Sequence, residues 1–256
     1  MQWIGHAGLS ANKHRGIPTA ETLQLACRLH LDWLELDVWP SADGALVLSH
    51  ARRIAGGAAI PSTSLAALQE VVPTLLTLDD AADICRGKVR LLIDVKTHAS
   101  AAPLAAWLER TRTQQDFAVC TESATFLSAI QAHAPAVGLW LTLPEVAPGR
   151  WEWLRRVPAV ARRRSLPRRL EVAIERLDIS VITVDHLALT PALCEEAHRL
   201  DLQVAAWTLN YPWLARRAAR AGADLITTDS VGAMREVVAT PARQPERRPR
   251  LEELIG

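Results

Sequence analysis

The chain has 256 residues, of which 29 are Lys or Arg and 28 are Asp or Glu, so its formal net charge is +1. Hydrophobic residues make up 49% and charged residues 22%, which excludes disorder over the whole length and the strongly basic class of nucleic-acid binders. No run of about 18 uncharged apolar residues predicts a membrane-spanning helix, and the first residues lack the pattern of a secretory signal.

Short strand-like runs alternate with longer helical patterns along the chain. Eight predicted strands cover residues 2–5, 33–38, 89–95, 117–120, 137–141, 179–184, 202–208 and 224–227. A further run at 45–49 predicts a hairpin addition after the second strand. Helical patterns cover 19–29, 78–86, 102–112, 123–133, 166–177, 191–200, 213–221 and 231–238. Thr190 before Pro191, and Gly222 after Ala221, are typical of a helix start and a helix end.

This alternation predicts parallel βαβ units. Eight such units in about 250 residues are the number and length expected of an α/β fold, a (β/α)8 TIM barrel in a single domain. A doubly wound open sheet is the alternative, but the glycine-rich phosphate loop that usually follows its first strand is missing. We place the barrel at residues 1–239 and a Pro- and Arg-rich tail at 240–256.

The four cysteines, Cys27, Cys85, Cys120 and Cys194, are far apart and form no Cys-x-x-Cys pair. This spacing favours reduced thiols over a disulfide framework or a zinc site. The sequence therefore predicts a cytoplasmic protein.

One segment, residues 150–169, departs from the βα alternation because it holds many arginines together with Trp151 and Trp153. It is either a solvated helical face with two packed tryptophans or a peripheral contact with a membrane surface, since basic and aromatic residues suit anionic interfaces.

Two carboxylates share one face of the second predicted strand. Strand side chains alternate, so Glu35 and Asp37 point one way and the leucines between and before them the other. Two adjacent charges inside a barrel need positive charge beside them. A divalent cation with oxygen ligands, with Asp94 as a third carboxylate, would supply it; ion pairs with arginines are the alternative.

Other reactive side chains follow the ends of further strands, where barrel active sites lie. Lys96 lies on the same strand face as Asp94 and either neutralises the acids or binds a phosphate. His6 and His50 are candidates for general acid and base, because the unperturbed pKa of histidine lies near neutrality.

The ordered motifs resemble those of the glycerophosphodiester phosphodiesterase family. The motifs that carry the resemblance are Gly5-His6-Ala7-Gly8, Glu35-Leu36-Asp37-Val38, Asp43-Gly44, Ser49-His50, Asp94-Val95-Lys96, Ala206-Trp207-Thr208-Leu209-Asn210 and Gly222-Ala223-Asp224-Leu225-Ile226-Thr227-Thr228-Asp229. Each motif alone is weak, but their order from residue 5 to residue 229 is specific.

The resemblance implies a TIM barrel with a divalent metal, Mg²⁺ or Ca²⁺, that hydrolyses a small phosphodiester to glycerol 3-phosphate and an alcohol. The implied metal ligands are Glu35, Asp37 and Asp94. The implied acid–base pair is His6 and His50, while Lys96 would contact the phosphate and Trp207 would line the pocket. Nucleic acid is not an expected partner.

Several departures from the family pattern put the substrate in question. Ala7 stands where the family has a phosphate-binding arginine, and Arg15 in the following loop is a candidate replacement. Ala51 follows His50 where an aspartate is usual, and Asp94 stands where glutamate is usual. The alternatives are a phospholipase D-like lyase that forms a cyclic phosphate from a lipid, and a barrel that binds a phosphorylated ligand without turnover.

Overall fold

Nine strands form one sheet in the computed structural model, which describes residues 1–11, 16–111, 116–143 and 176–231. The strands are β1 Gln2–Gly5, β2 Trp33–Pro40, β3 Leu46–Leu48, β4 Arg90–Val95, β5 Phe117–Thr121, β6 Gly138–Thr142, β7 Ile179–Asp185, β8 Gln203–Trp207 and β9 Leu225–Thr228.

Closure of the sheet comes from β1, which pairs in parallel with both β2 and β9. The remaining strands run in the order β9-β8-β7-β6-β5-β4-β2, and β3 joins β2 antiparallel as an outer hairpin. Every pairing within the ring is parallel. The prediction of a (β/α)8 TIM barrel is confirmed, as is that of the hairpin.

Helices connect the strands on the outside of the barrel. They are α1 Ala20–Arg28, α2 Leu65–Val71, α3 Leu78–Cys85, α4 Ala101–Arg110, α5 Ala124–His133, α6 Pro191–Arg199 and α7 Pro212–Ala221. Thr190 caps α6 by accepting a hydrogen bond from the Leu193 amide, and Gly222 ends α7 in a left-handed conformation with φ 101°. No helix in the described ranges combines the length and apolar character needed to cross a membrane.

The structure differs from the predicted elements at two places. Strand β2 continues past Val38 to Pro40, because β3 supplies antiparallel partners for these last residues. Helix α2 was not predicted; it has only 7 residues and begins after Ser64, whose hydroxyl accepts a hydrogen bond from the Ala67 amide.

Other predictions lie outside the described residues. They are the arginine-rich segment 150–169, most of the helices at 166–177 and 231–238, Arg15 and the tail at 240–256.

The barrel interior is closed below the mouth by a layer of apolar side chains, one or two from each barrel strand. This layer, to which the outer strand β3 contributes nothing, is Ile4, Trp33, Leu92, Ala118, Cys120, Trp140, Val181, Ala205 and Leu225. The rings of Trp33 and Trp140 meet edge to face with centroids 5.0 Å apart. Side chains of opposite parity, such as Leu34 and Leu36, pack outward against the helices. The interior therefore forms a packed apolar layer, the floor of the barrel mouth. The side chains two residues further along each strand lie above this floor.

Trp140→Ala should destabilise the barrel strongly, because Trp140 is 2% exposed and fills the centre of this floor. We expect the free energy of unfolding to fall by about 3–5 kcal/mol, measured by denaturant unfolding. Trp213→Ala is the matched control, since Trp213 is 61% exposed and its loss should change stability by only about 0.5 kcal/mol. Equal losses in the two variants would contradict the assignment of Trp140 to the core.

Candidate active site

A cavity of about 830 Å³ opens at the carboxyl ends of the strands. Its wall includes, within or directly after each barrel strand, a residue two positions beyond a floor residue: His6, Glu35, Asp94, Cys120, Thr142, Thr183, Trp207 and Thr227. Cys120 belongs to both the floor and the wall. His50, which follows β3, completes this wall. Because side chains alternate along each strand, side chains from around the whole barrel meet in this cavity.

Three carboxylates form a cluster at one side of the cavity. Glu35, Asp37 and Asp94 each offer an oxygen, and these oxygens all lie within 4.8 Å of one another. Glu35 and Asp37 are only 6% and 2% exposed. The backbone N–H of Ala7 donates to Glu35 Oε2 at 2.5 Å, which orients that carboxylate. This all-oxygen donor set suits a hard divalent cation.

Lys96 is the described cation that pairs directly with two carboxylates of this cluster. Its Nζ lies 2.5 Å from Asp37 Oδ1 and 2.5 Å from Asp94 Oδ2. The alternative expectation, ion pairs with arginines, is wrong for the described part of the chain. Burial opposes the charge on Lys96, but the three carboxylates outweigh burial and raise its pKa.

The positive charges of His6 and Lys96 do not offset burial and the neighbouring carboxylates at Glu35. Burial, followed by the charge of Asp37, raises the pKa of Glu35 well above its usual range. The cluster therefore resists its full ionisation although His6 and Lys96 both favour it. A further divalent cation would remove that resistance, so the residues present fit such an ion.

His6 is held by a carboxylate that the sequence did not assign. Its Nδ1 lies 2.7 Å from Asp229 Oδ1, which leaves Nε2 as the other ring nitrogen at the cavity. Burial opposes the imidazolium, but the Asp229 hydrogen bond and the charges of Glu35 and Asp37 outweigh burial and raise the pKa of His6 from 6.5 to about 9.

Asp229 is itself fixed by Asn210. The Asn210 side-chain amide donates to Asp229 Oδ2 at 2.6 Å, and Asn210 Oδ1 accepts from the Asp229 N–H at 2.9 Å and from Thr228 Oγ1 at 3.1 Å. The sequence signal for this network was the position of Asn210 and Asp229 just after two neighbouring strands.

His50 faces His6 across the cavity, with ring centroids 6.2 Å apart and nearly perpendicular planes. Its backbone N–H donates to Gly16 O at 2.9 Å. Gly16 has φ 73°, and a Cβ there would lie 2.8 Å from the His50 Cβ. Only glycine allows this approach, so Gly16 positions His50. The structure therefore brings the two predicted histidines together.

Further residues of the cavity wall follow strands β4 and β5 in the chain. His98, in the short turn after β4, lines the cavity with Glu122 and with Phe126 of α5. Asp185 instead turns to its own loop and accepts a hydrogen bond from the Leu187 N–H at 2.8 Å. Cys120 donates to Asp94 Oδ1 at 3.6 Å, and burial keeps its pKa well above the usual range, so it is a neutral thiol.

Comparison with known families places the chain among phosphodiesterases. The family model described as the Glycerophosphoryl diester phosphodiesterase family matches residues 65–233, more than half of the chain. The chain belongs to this family. It is thus a phosphoric diester hydrolase, and the family resemblance of its motifs is confirmed. The match starts after His6, Glu35, Asp37 and His50, so the roles of these residues stay predictions.

Similar proteins cover nearly the whole chain. "Probable glycerophosphodiester phosphodiesterase 2" of Mycobacterium tuberculosis is 25% identical, over 93% of this chain and 94% of its own. The structure of an Oleispira antarctica phosphodiesterase with the product sn-glycerol-3-phosphate has a TM-score of 0.74 at 20% identity, over 94% of this chain and 97% of that one. A glycerophosphodiester phosphodiesterase from Thermotoga maritima has a TM-score of 0.71 at 19% identity, over 93% and 98%.

Proposed function

We propose that the protein is a metal-dependent phosphodiesterase that hydrolyses a glycerophosphodiester, or a similar small phosphodiester, to glycerol 3-phosphate and an alcohol. The observation that carries this proposal is a cavity lined by Glu35, Asp94, Lys96 and two facing histidines, where Asp37 completes the cluster of three carboxylates. The family and the product held by the Oleispira antarctica relative support the choice of substrate.

Glu35, Asp37 and Asp94 would hold the divalent cation, Mg²⁺ or Ca²⁺, because both ions take carboxylate oxygens. Such an ion supplies positive charge for the phosphoryl oxygens, where negative charge grows as the phosphorus is attacked. Lys96 lies beside the same cluster, and with the ion bound its ammonium would turn from the carboxylates to a non-bridging phosphate oxygen.

The two histidines would move the protons. One removes a proton from the attacking oxygen, which is that of water or of the hydroxyl next to the phosphate, and a new P–O bond forms. The other donates a proton to the alcohol oxygen as its bond to phosphorus breaks, so the alcohol leaves neutral. Asp229 holds His6 at Nδ1, which keeps Nε2 available for this transfer. Trp207 would pack against the bound diester at the cavity wall.

Purified protein should release glycerol 3-phosphate from glycerophosphodiesters when Mg²⁺ or Ca²⁺ is present, and a chelator should abolish the release. Phosphorus NMR of the product is the direct measurement. A cyclic phosphate that persists as the end product would favour the lipid lyase over the hydrolase. Turnover that survives complete metal removal would contradict the metal-dependent proposal.

A further inference from the structure

Three large apolar side chains are exposed in the β7–α6 connection and at the start of α7. Leu187, in the β7–α6 connection, is 44% exposed, while Tyr211 and Trp213, at the start of α7, are 62% and 61% exposed. The two segments adjoin because β7 and β8 pair, and the His186 N–H donates to Trp207 O at 2.9 Å. We call Leu187, Tyr211 and Trp213 the rim patch.

The rim patch lies on the active-site side of the barrel. Both segments leave the carboxyl ends of their strands, and Trp207, at the end of β8, lines the cavity. Tyr211 directly follows Asn210, whose side chain holds Asp229 and through it His6. The patch therefore borders the mouth through which a substrate would enter.

Helix α7 separates a buried apolar face from an exposed basic one. Leu214, Ala215 and Ala218 are buried, whereas Trp213, Arg217 and Arg220 are exposed. The exposed three are spaced by four and three residues, so they share one side of the helix. Helical side chains lean toward the helix N-terminus, so the arginines reach toward the rim patch. Helix α7 contains three arginines and no acid.

An exposed tryptophan and tyrosine above arginines match the chemistry of a lipid surface. Tyr and Trp place an apolar ring beside a polar edge, as the headgroup level of a bilayer requires, and arginines are attracted to anionic headgroups. A symmetric dimer through this face would bring arginines of one copy against those of the other. Charge therefore favours a lipid surface over a second copy of the chain.

We propose that the rim patch, with Arg217 and Arg220, is a docking surface for an anionic lipid bilayer. Docking there holds the active-site mouth against the membrane surface. The residues of this surface are other than 150–169, and the proposal does not depend on the proposed substrate.

Sedimentation of the full chain with vesicles tests the proposal. Wild type should bind phosphatidylcholine vesicles that contain phosphatidylglycerol and should bind pure phosphatidylcholine vesicles about tenfold more weakly. The double variant Tyr211→Ser/Trp213→Ser, and separately Arg217→Glu, should each lower binding to the anionic vesicles by about tenfold. Val71→Ser is the matched control, because Val71 is 46% exposed but lies on α2, and its binding should equal that of wild type.

Several results would overturn the docking surface. One is wild-type protein that does not bind anionic vesicles at low salt. Another is a double variant that binds these vesicles as strongly as Val71→Ser does. A dimer in sedimentation velocity that Trp213→Ser dissociates would assign the patch to a second copy. Turnover of a soluble diester should be unchanged in the double variant, which keeps this test apart from that of the proposed function.

Discussion

Glu35→Gln is expected to lower turnover of a glycerophosphodiester by about 10³-fold or more. The variant loses one of three carboxylates that would hold the divalent cation, and with it charge stabilisation of about 4 kcal/mol, at 1.36 kcal/mol per tenfold in rate. Its Tm should no longer respond to metal, whereas that of wild type should rise by about 5–10 °C at a metal concentration one hundred times Kd. Steady-state kinetics and thermal unfolding with and without metal measure both effects.

The thermal stability of the metal-free variant shows whether the loss of turnover comes from lost metal binding or from an unfolded protein. Burial and Asp37 raise the pKa of Glu35, so its ionised form costs free energy in the metal-free fold. Glutamine removes that cost and can still accept the Ala7 N–H bond, so the metal-free Tm of Glu35→Gln should equal or exceed that of wild type.

Glu70→Gln, at an exposed position of α2, is the matched substitution and should behave as wild type in every assay. A Glu35→Gln variant that retains both turnover and the metal-dependent rise in Tm would contradict the assigned cluster.

The alternation of strand and helix patterns predicted most of the barrel. The alternation of side chains within each strand predicted most of the active-site layer. Each strand could be located from a short apolar run between helical patterns, and the period of two placed Glu35, Asp37, Asp94 and Lys96 on inner faces. Parallel strands end at the same rim, so residues far apart in sequence, such as His6 and Asp94, could be expected to meet. The pairing Asp37–Asp94 in adjacent strands confirms that register.

Features set by loops and long-range contacts could not be predicted in this way. His98 resembles any isolated histidine in sequence, because its place in the cavity depends on the short turn His98–Ser100 that follows β4. Asp229 lies 223 residues from His6, and only closure of the barrel between β1 and β9 brings them together. The preference of Asp37 for Lys96 over an arginine likewise depends on where one flexible side chain fits beside two strands.

Asp229→Asn should lower kcat by about 10²–10⁴-fold with little change in KM, because Asp229 acts on the proton-transfer group and not on the bound diester. An asparagine amide can donate to His6 Nδ1, which would place the imidazole proton on Nε2 and orient the wrong tautomer toward the cavity. Kinetics across pH and unfolding free energies measured for the same variant test this role.

The pH dependence of stability gives a readout that a purely structural role would not change. The pKa of His6 is raised from 6.5 to about 9. The stability that its imidazolium contributes is therefore fully present below pH 6.5 and is lost as the pH rises through 9. Burial alone would lower this pKa, and Asp229 supplies the hydrogen bond that opposes burial. In the metal-free Asp229→Asn variant, the decrease in the free energy of unfolding between pH 6.5 and 9 should therefore be smaller than in wild type.

Asp178→Asn, an exposed aspartate ahead of β7, is the matched control and should leave kcat and the pH dependence of stability unchanged. If Asp229→Asn kept the wild-type kcat while losing the pH-dependent stability, Asp229 would hold His6 without supporting proton transfer. If it kept both, the hydrogen bond at Nδ1 would have no part in either.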